Sequence, residues 1–583
     1  MHSSEFRAEL RRRLENNGER VLLRIADAAD PLNPLELTGS EILTRSELLA
    51  RRCVLPDSGV ILLLLPHSVE LFLLHLGLLL EGKVPAILAW PTSRIDPEKY
   101  QRNLLHQLRN LPASQLITLP LLAHNLGDAL PYPASGLAIA GADQFEKSFI
   151  VPLPLAVEGE AVEPKKGTVP DDALFLQFSG GTTGAQKAVV ITAAMLVPQL
   201  ELLAGYLGFG GSDGVVSWLP MYHDMGLIAC LWLPLWHGAP SLQFAASEWL
   251  LKPDLLFYYA QRYQATFCWL PNFAFSYLAG QRERMRGPYA LERMRAWINC
   301  SEPVRLRSMQ SFADAFADWG VRRETLQASY AMAENVFAAT QTVPGEFPVV
   351  TSRSEVRQRS AAYQELAFNL IDDVYVSSGR ALEGMEIRIT DADGNLCDEA
   401  QAGEIQLRTS CLFSGYWGSD GFVRTAISGE GWYATADYGF LSKGDLFVIG
   451  RMKDIIIVGG QNVFPEDVEM VVNTVPEVYP GRVVAFGMMD EQYGTENLVV
   501  VAEMRGDHDQ EIATRVERAI HKLVLATIGI APRHVAAVPE RWIVKSTAGK
   551  ISRKETRERF LRERAASKTP VVAETARPGS GGK

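Results

Sequence analysis

The stretch GVILLLLPHSVELFLLHLGLLLEGKVPAILAW, residues 59–90, constrains the fold more than any other. It is apolar enough to suggest a membrane span, which needs about 20 uninterrupted apolar residues. Pro66, His67, Glu70, His75, Glu81 and Lys83 break the run. Three elements fit it better: a buried strand from Val60 to Leu65, a helix over 69–81 capped by Ser68, and a strand from Val84 to Leu88. Apolar strands without alternation, joined by a helix, form a βαβ unit whose parallel sheet is covered on both faces.

The same alternation recurs to about residue 340, as in ASQLITL (113–119), GVVSWLP (214–220) and ATFCWLP (265–271). The pattern changes near 380. GMEIRITDADGNLCDEAQAGEIQLRT alternates apolar and polar residues around a DADGN turn and reads as antiparallel hairpins, as does YGFLSKGDLFVIG (438–450). Beyond 451 a small α+β unit is expected, with helices near 465–474 and 508–526 and strands near 482–487 and 498–503. The fold class is therefore α/β: a large N-terminal domain (1–450) of α/β subdomains plus a β-rich subdomain, then a small mobile α+β domain (451–565). The Pro-, Gly- and Ser-rich tail, 566–583, is expected to be disordered.

A chain of 583 residues is too long for one core. Its net charge of −11 argues against general affinity for nucleic acid, so any anionic ligand needs a local site. Six cysteines, at 53, 230, 268, 300, 397 and 411, include no CxxC pair, and free thiols are expected. The N-terminus lacks the apolar core of a secretion signal, so a cytoplasmic location is expected.

FSGGTTGAQKA (178–188) is a candidate anion loop. It is not a Walker loop, because Ala185 and Gln186 separate Gly184 from Lys187. It joins two apolar strands, ALFLQF and AVVIT, and so forms a hairpin clamp. Its amides, Thr182 and Thr183 hydroxyls and Lys187 can line a phosphate; a plain glycine turn is the alternative. Four further stretches set polar groups among apolar ones: SWLPMYHDMGLI with His223 and Asp224, LQASYAMAEN with Tyr330 and Glu334, WYATADYG with Asp437 in a turn, and GRMKDIIIVGGQNVFPEDVE with Arg451, Lys453 and Asp454. KSTAGKISR carries Lys550 near the C-terminus.

Taken in this order, the motifs resemble the adenylate-forming superfamily of acyl-CoA synthetases, luciferases and peptide-synthetase adenylation domains, over about residues 40–560. WLPMYHDMGLI, PNFAF (271–275), SEPV (301–304) and YAMAE resemble the fatty acyl-AMP ligases, as does an extra stretch that would fall at 341–371. The resemblance implies activation of a fatty acid by ATP to acyl-AMP, then transfer to the phosphopantetheine thiol of an acyl carrier protein. Free coenzyme A as acceptor, or an aryl or short acid as substrate, are the alternatives.

It also implies residue roles. Ser179, Gly180, Gly181, Thr182, Thr183, Gly184 and Lys187 would hold the β- and γ-phosphates, with Thr183 and Glu334 near Mg2+. Tyr330 would stack on adenine beside Ser329 and backbone of Ser301, Glu302 and Pro303. Asp437 would accept the ribose hydroxyls and Arg451 would reach the ribose. Lys550 would bridge the acyl carboxylate and α-phosphate, His223 would sit by that carboxylate, and Lys453 would be the hinge. Within the candidate acyl-pocket lining, 222–232 and 271–277, Trp232, Phe273 and Phe275 read either as setting the pocket's depth or simply as core. The basic run KISRKETRERFLRER (550–564) reads either as a carrier-protein patch or as a solvated helix. The family usually has Ser at Gly180, Pro at Gln186 and Gly at Ala188, Ala331 and Ala436; a methyl group is costly there only where φ is positive.

Overall fold

The computed structural model describes residues 1–27, 30–53, 55–56, 59–90, 104, 108, 113–127, 134–137, 170–178, 188–352, 374–418, 421–424, 427–458, 461–490, 495–506, 509–545 and 551–568. The opening stretch forms the expected βαβ unit. Val60–Leu64 pairs in parallel with Val84–Ile87 and with Gln115–Thr118. Between them, helix Val69–Leu80 starts where the Ser68 side chain accepts the Leu71 N–H, and every residue from Leu71 to Leu80 is buried. That total burial explains an apolar run without a polar face. No helix among the described residues is long and apolar enough to cross a membrane.

This unit belongs to an eight-stranded sheet. Ala173–Phe178 and Ala188–Thr192 are antiparallel neighbours in it, so the glycine-rich loop does connect two adjacent strands. A thirteen-stranded sheet carries the parallel strands Val215–Ser217, Phe267–Leu270, Ala296–Asn299 and Leu326–Ala331. It continues through the hairpins expected beyond 380: Glu386–Thr390 pairs with Gly403–Arg408, and Tyr433–Ser442 with Asp445–Arg451. The last hairpin turns through Lys443 and Gly444, both at positive φ (52° and 82°), as a two-residue primed turn requires. The large sheet's last strand ends at Arg451.

From Ile456 a second hydrophobic core begins, built on Val468, Val471, Val500, Val516 and Ile520. Strands Val478–Asp490, Thr495–Met504 and His534–Val538 form its sheet, and helices Pro465–Val472 and Gln510–Ile528 cover it. A short 3-10 turn, Met452–Asp454, links the two cores. Arg305 Nη1 faces Asp467 Oδ1 at 3.6 Å across the link.

Helix Arg553–Lys568 packs Phe560 against Phe486, and Arg559 donates to Trp542 O and pairs with Glu563. Part of the basic run is thus spent inside this unit, while Arg557 and Arg562 stay exposed. The helix continues to Lys568, into the tail expected to be disordered from 566; 569–583 lie outside the described residues, as do 353–373, most of the expected insertion.

Candidate active site

A cleft of about 2650 Å³ separates the two cores. Ser301, Tyr330 and Asp437 line it from one side and Glu469, Tyr479 and Lys545 from the other. Tyr330 is next to last in the buried strand Leu326–Ala331, and Asp437 sits in strand Tyr433–Ser442 of the same sheet. The Tyr330 hydroxyl donates to Asp437 Oδ2 at 2.6 Å, and Arg451 Nε lies 3.3 Å from Asp437 Oδ1. Arg451 is the register partner of Asp437, so the hairpin itself sets this ion pair. Burial pushes the Asp437 carboxyl up, and the Arg451 charge pulls it back. An aromatic face beside an anchored carboxylate and a guanidinium suits a nucleoside: a ring to stack on, an acceptor for a diol and a cation for a phosphate.

Asp437 was expected in a turn but stands in a strand. The small residues of YATADYG mark instead a local break, because Ala436 takes the left-handed conformation (φ 59°). Ala331 is not at positive φ, and Ala188 begins a strand. Of the three glycine-to-alanine departures, only Ala436 is therefore strained. A non-glycine residue there costs roughly 1–2 kcal/mol, against about 0.5–1 kcal/mol of chain entropy that glycine loses on folding. Ala436→Gly is expected to raise stability by about 0.5–1 kcal/mol, read as a higher urea midpoint with unchanged slope.

Ser301 (φ 71°), Glu302 and Pro303 also line the cleft, and Glu302 Oε2 accepts from Phe273 N–H. Ser329 reaches the cleft, but its hydroxyl is spent on Thr340 O at 2.8 Å. Glu334 stands in a 3-10 turn, its Oε1 accepting from the Tyr416 hydroxyl at 2.8 Å. Burial pushes its carboxyl up, and the nearby Asp224 charge adds to this. A buried carboxylate oxygen is the kind of ligand that a hard divalent cation such as Mg2+ takes, and Glu334 could supply one.

His223 Nδ1 lies 3.1 Å from Asp224 Oδ1, which also accepts the Met225 N–H at 2.7 Å. Both precede a π-helix, Met225–Trp232, a form enriched at functional sites. Gln177 Nε2 donates to Tyr222 O, tying this corner to the strand that enters the glycine-rich loop. Lys453 is exposed in the linking 3-10 turn. Ser179, Gly180, Gly181, Thr182, Thr183, Gly184, Lys187 and Lys550 lie outside the described residues.

Two of the three candidate acyl-pocket aromatics are core. Trp232 is fully buried and stacks on Phe175, and Phe275 packs edge-on against Phe312. Phe273 alone reaches the cleft, 42% exposed, edge-on to Trp218 and Trp249. Tyr416 and Tyr433 were missed. Nothing in SGYWG singles out Tyr416, whereas Tyr433 stands in a motif already marked for Asp437.

A profile described as AMP-binding enzyme matches residues 33–417. The chain belongs to the AMP-binding enzymes. Among relatives of this AMP-binding enzyme is a long-chain-fatty-acid–AMP ligase, FadD28, of Mycobacterium tuberculosis, 29% identical over 67% of this chain and 71% of that one. Another is JamA of Moorena producens, named a medium-chain-fatty-acid–[acyl-carrier-protein] ligase, 28% identical over 67% and 68%. A solved structure from a study of fatty acyl-adenylate ligases of E. coli and L. pneumophila superposes with a TM-score of 0.77 at 23% identity, over 96% of this chain and 98% of that one. That likeness establishes the fold of the AMP-binding enzyme across both cores.

Proposed function

We propose that this AMP-binding enzyme activates a fatty acid with ATP and passes the acyl group to the phosphopantetheine thiol of an acyl carrier protein. A carboxylate oxygen attacks the α-phosphorus, the bond to the β-phosphoryl oxygen breaks, and acyl-AMP and pyrophosphate form. The thiol sulfur then displaces AMP. The reading rests above all on Tyr330, Asp437 and Arg451, a nucleoside-shaped set on the cleft. The names of the relatives support the fatty acid and the carrier protein.

Within this reading Tyr330 stacks on adenine, Asp437 accepts from the ribose and Arg451 steadies it. The loop residues from Ser179 to Lys187 hold the terminal phosphates. Mg2+, held by Glu334 and Thr183, would offset the charge of the phosphates. His223 faces the acyl carboxylate, and Lys550 neutralises charge as the attack develops. Residues 1–450 and 451–565 act as two domains turning about Lys453, with an insertion at 341–371, and the protein works in the cytoplasm.

The test is mass spectrometry of reactions holding ATP, Mg2+, free coenzyme A and fatty acids of graded length. Acyl-AMP without acyl-CoA is expected, and acyl transfer once a phosphopantetheinylated carrier protein is added. Acyl-CoA would instead identify a coenzyme A ligase, and the absence of both products would sink the reading. Lys550→Ala is expected to slow adenylation about a hundredfold with nucleotide affinity kept, by pyrophosphate exchange and equilibrium dialysis. A non-catalytic nucleotide sensor would not respond to that change.

A further inference from the structure

Glu334 is held more firmly than its short turn requires. The segment 413–416 grips it twice: Phe413 N–H donates to the Glu334 carbonyl at 2.8 Å, and the Tyr416 hydroxyl donates to Oε1 at 2.8 Å. Two residues on, Val336 is fully buried at φ 62° and ψ −52°, and Phe337 N–H donates to Asn335 O at 2.6 Å. This is a γ-turn of the rare, strained kind, adopted here by a β-branched residue. Such a conformation persists only where its surroundings over-determine it, and the grip from 413–416 is part of those surroundings.

Tyr416 also reaches toward the phosphate side. Its strand, Gly415–Gly418, sets it opposite Val189 in Ala188–Thr192, the strand that leaves the glycine-rich loop. Phe413 fixes the ring, with centroids 4.7 Å apart. The Tyr433 hydroxyl stands 3.4 Å from that of Tyr416. Tyr416 has one proton and gives it to Glu334, so Tyr433 is the donor at this contact. The result is a relay, Tyr433 to Tyr416 to Glu334, whose last acceptor is Oε1. Tyr416 is the one side chain among the described residues that donates to the Glu334 carboxylate, whose own backbone N–H is the other donor to it.

We propose that Tyr416 is a positioning residue: it claims Oε1 of Glu334 and thereby presents Oε2 to the metal–triphosphate, in register with the strand that ends the glycine-rich loop. This rests on the reading of Glu334 as a metal ligand. An outer partner that orients a metal-binding carboxylate typically contributes ten- to a hundredfold in metal affinity.

The experiment titrates Mn2+ into the full chain with α,β-methylene ATP, which cannot be cleaved by attack on its α-phosphorus, and counts free Mn2+ by electron paramagnetic resonance. Tyr416→Phe is expected to weaken Mn2+ binding about tenfold, leaving the metal-free affinity for the analogue as in wild type. Wild-type Mn2+ affinity in Tyr416→Phe, with Glu334→Gln weakened, would overturn the positioning role alone. Wild-type affinity in Glu334→Gln would overturn the metal-ligand reading and the proposal with it. An equal fall in metal-free analogue affinity in Tyr416→Phe would mark a structural role and also overturn the proposal.

Discussion

Arg553→Leu is expected to strip the C-terminal core of about 3–5 kcal/mol, the usual cost of removing one partner from a buried ionic group. Arg553 donates through Nη1 to Asp454 at 2.9 Å, through Nη2 to Glu466 at 3.2 Å and Glu469 at 2.9 Å, and through Nε to Ala485 O at 2.9 Å. Its side chain is 17% exposed. Without it, three carboxylates face one another with little water to separate them. Burial already pushes Glu469 above the usual carboxylate range, and Arg553 is what restrains it. Arg553→Lys keeps the charge but loses the planar fork, so it should fall between the two. Hydrogen exchange over Val478–Asp490 and Thr495–Met504 would localise the loss to this core. Full protection there in Arg553→Leu would sink the prediction. Glu469→Gln added to Arg553→Leu should recover part of the loss, because it removes one of the stranded charges.

The second large effect is acid sensitivity of the N-terminal core. His75 lies in the middle of the buried helix, 1% exposed, between the rings of Phe175 and Trp232. Neither ring nitrogen has a hydrogen-bond partner among the described residues. Burial pushes its pKa down from 6.5 to about 3. Above pH 6.5 the imidazole is neutral in both folded and unfolded chains and contributes no pH dependence. Below that the unfolded chain takes up a proton the folded one refuses, so stability falls by about 1.4 kcal/mol per pH unit and approaches a loss of about 5 kcal/mol near pH 3. Glu469 has the opposite sign. Its raised carboxyl destabilises the C-terminal core when ionised, and that penalty is relieved as pH falls through its folded pKa. Through His75, and through His67, whose pKa burial pushes down to about 4, mild acidification should lower the unfolding transition of the N-terminal core, against the smaller opposing effect of the raised carboxyls of Glu334 and Asp437. His75→Phe should make the acid limb of the N-terminal transition shallower, with His67 supplying the remaining slope; an unchanged slope would refute the assignment to His75.

What could be read ahead of the structure depended on whether a residue's job is written in its neighbours. Val60 to Leu64 could be called a buried strand because unbroken β-branched and Leu runs have few other uses, and Ser68 because a cap sits at a set offset from the helix it starts. Tyr330, Asp437 and Arg451 were legible through ordered motifs, and they meet in space as that order implies. Trp232 and Phe275 could not be divided between pocket and core because an aromatic ring is equally apolar in a core or on a cavity wall. Which it lines is decided by partners far away in sequence, such as Phe175 for Trp232. Tyr416 stayed hidden for the same reason: its partner, Glu334, is 82 positions distant. The left-handed Ala436 was marked only by the glycine the family usually has there, and its own residue type does not advertise that conformation.

The π-helix at Met225–Trp232 has a consequence for how this protein tolerates changes in length. A π-turn holds one residue more than an α-turn, so deleting a single residue there would leave an ordinary α-helix that is locally easier to form. It would also turn everything before the cut by about 100° relative to everything after it. His223 and Asp224 stand immediately before the segment, and Trp232, locked against Phe6 and Phe175, ends it. One end or the other would have to leave its place. Eight apolar residues that look interchangeable in composition are thus fixed in number: substitutions among them should be borne far better than the loss of any one codon.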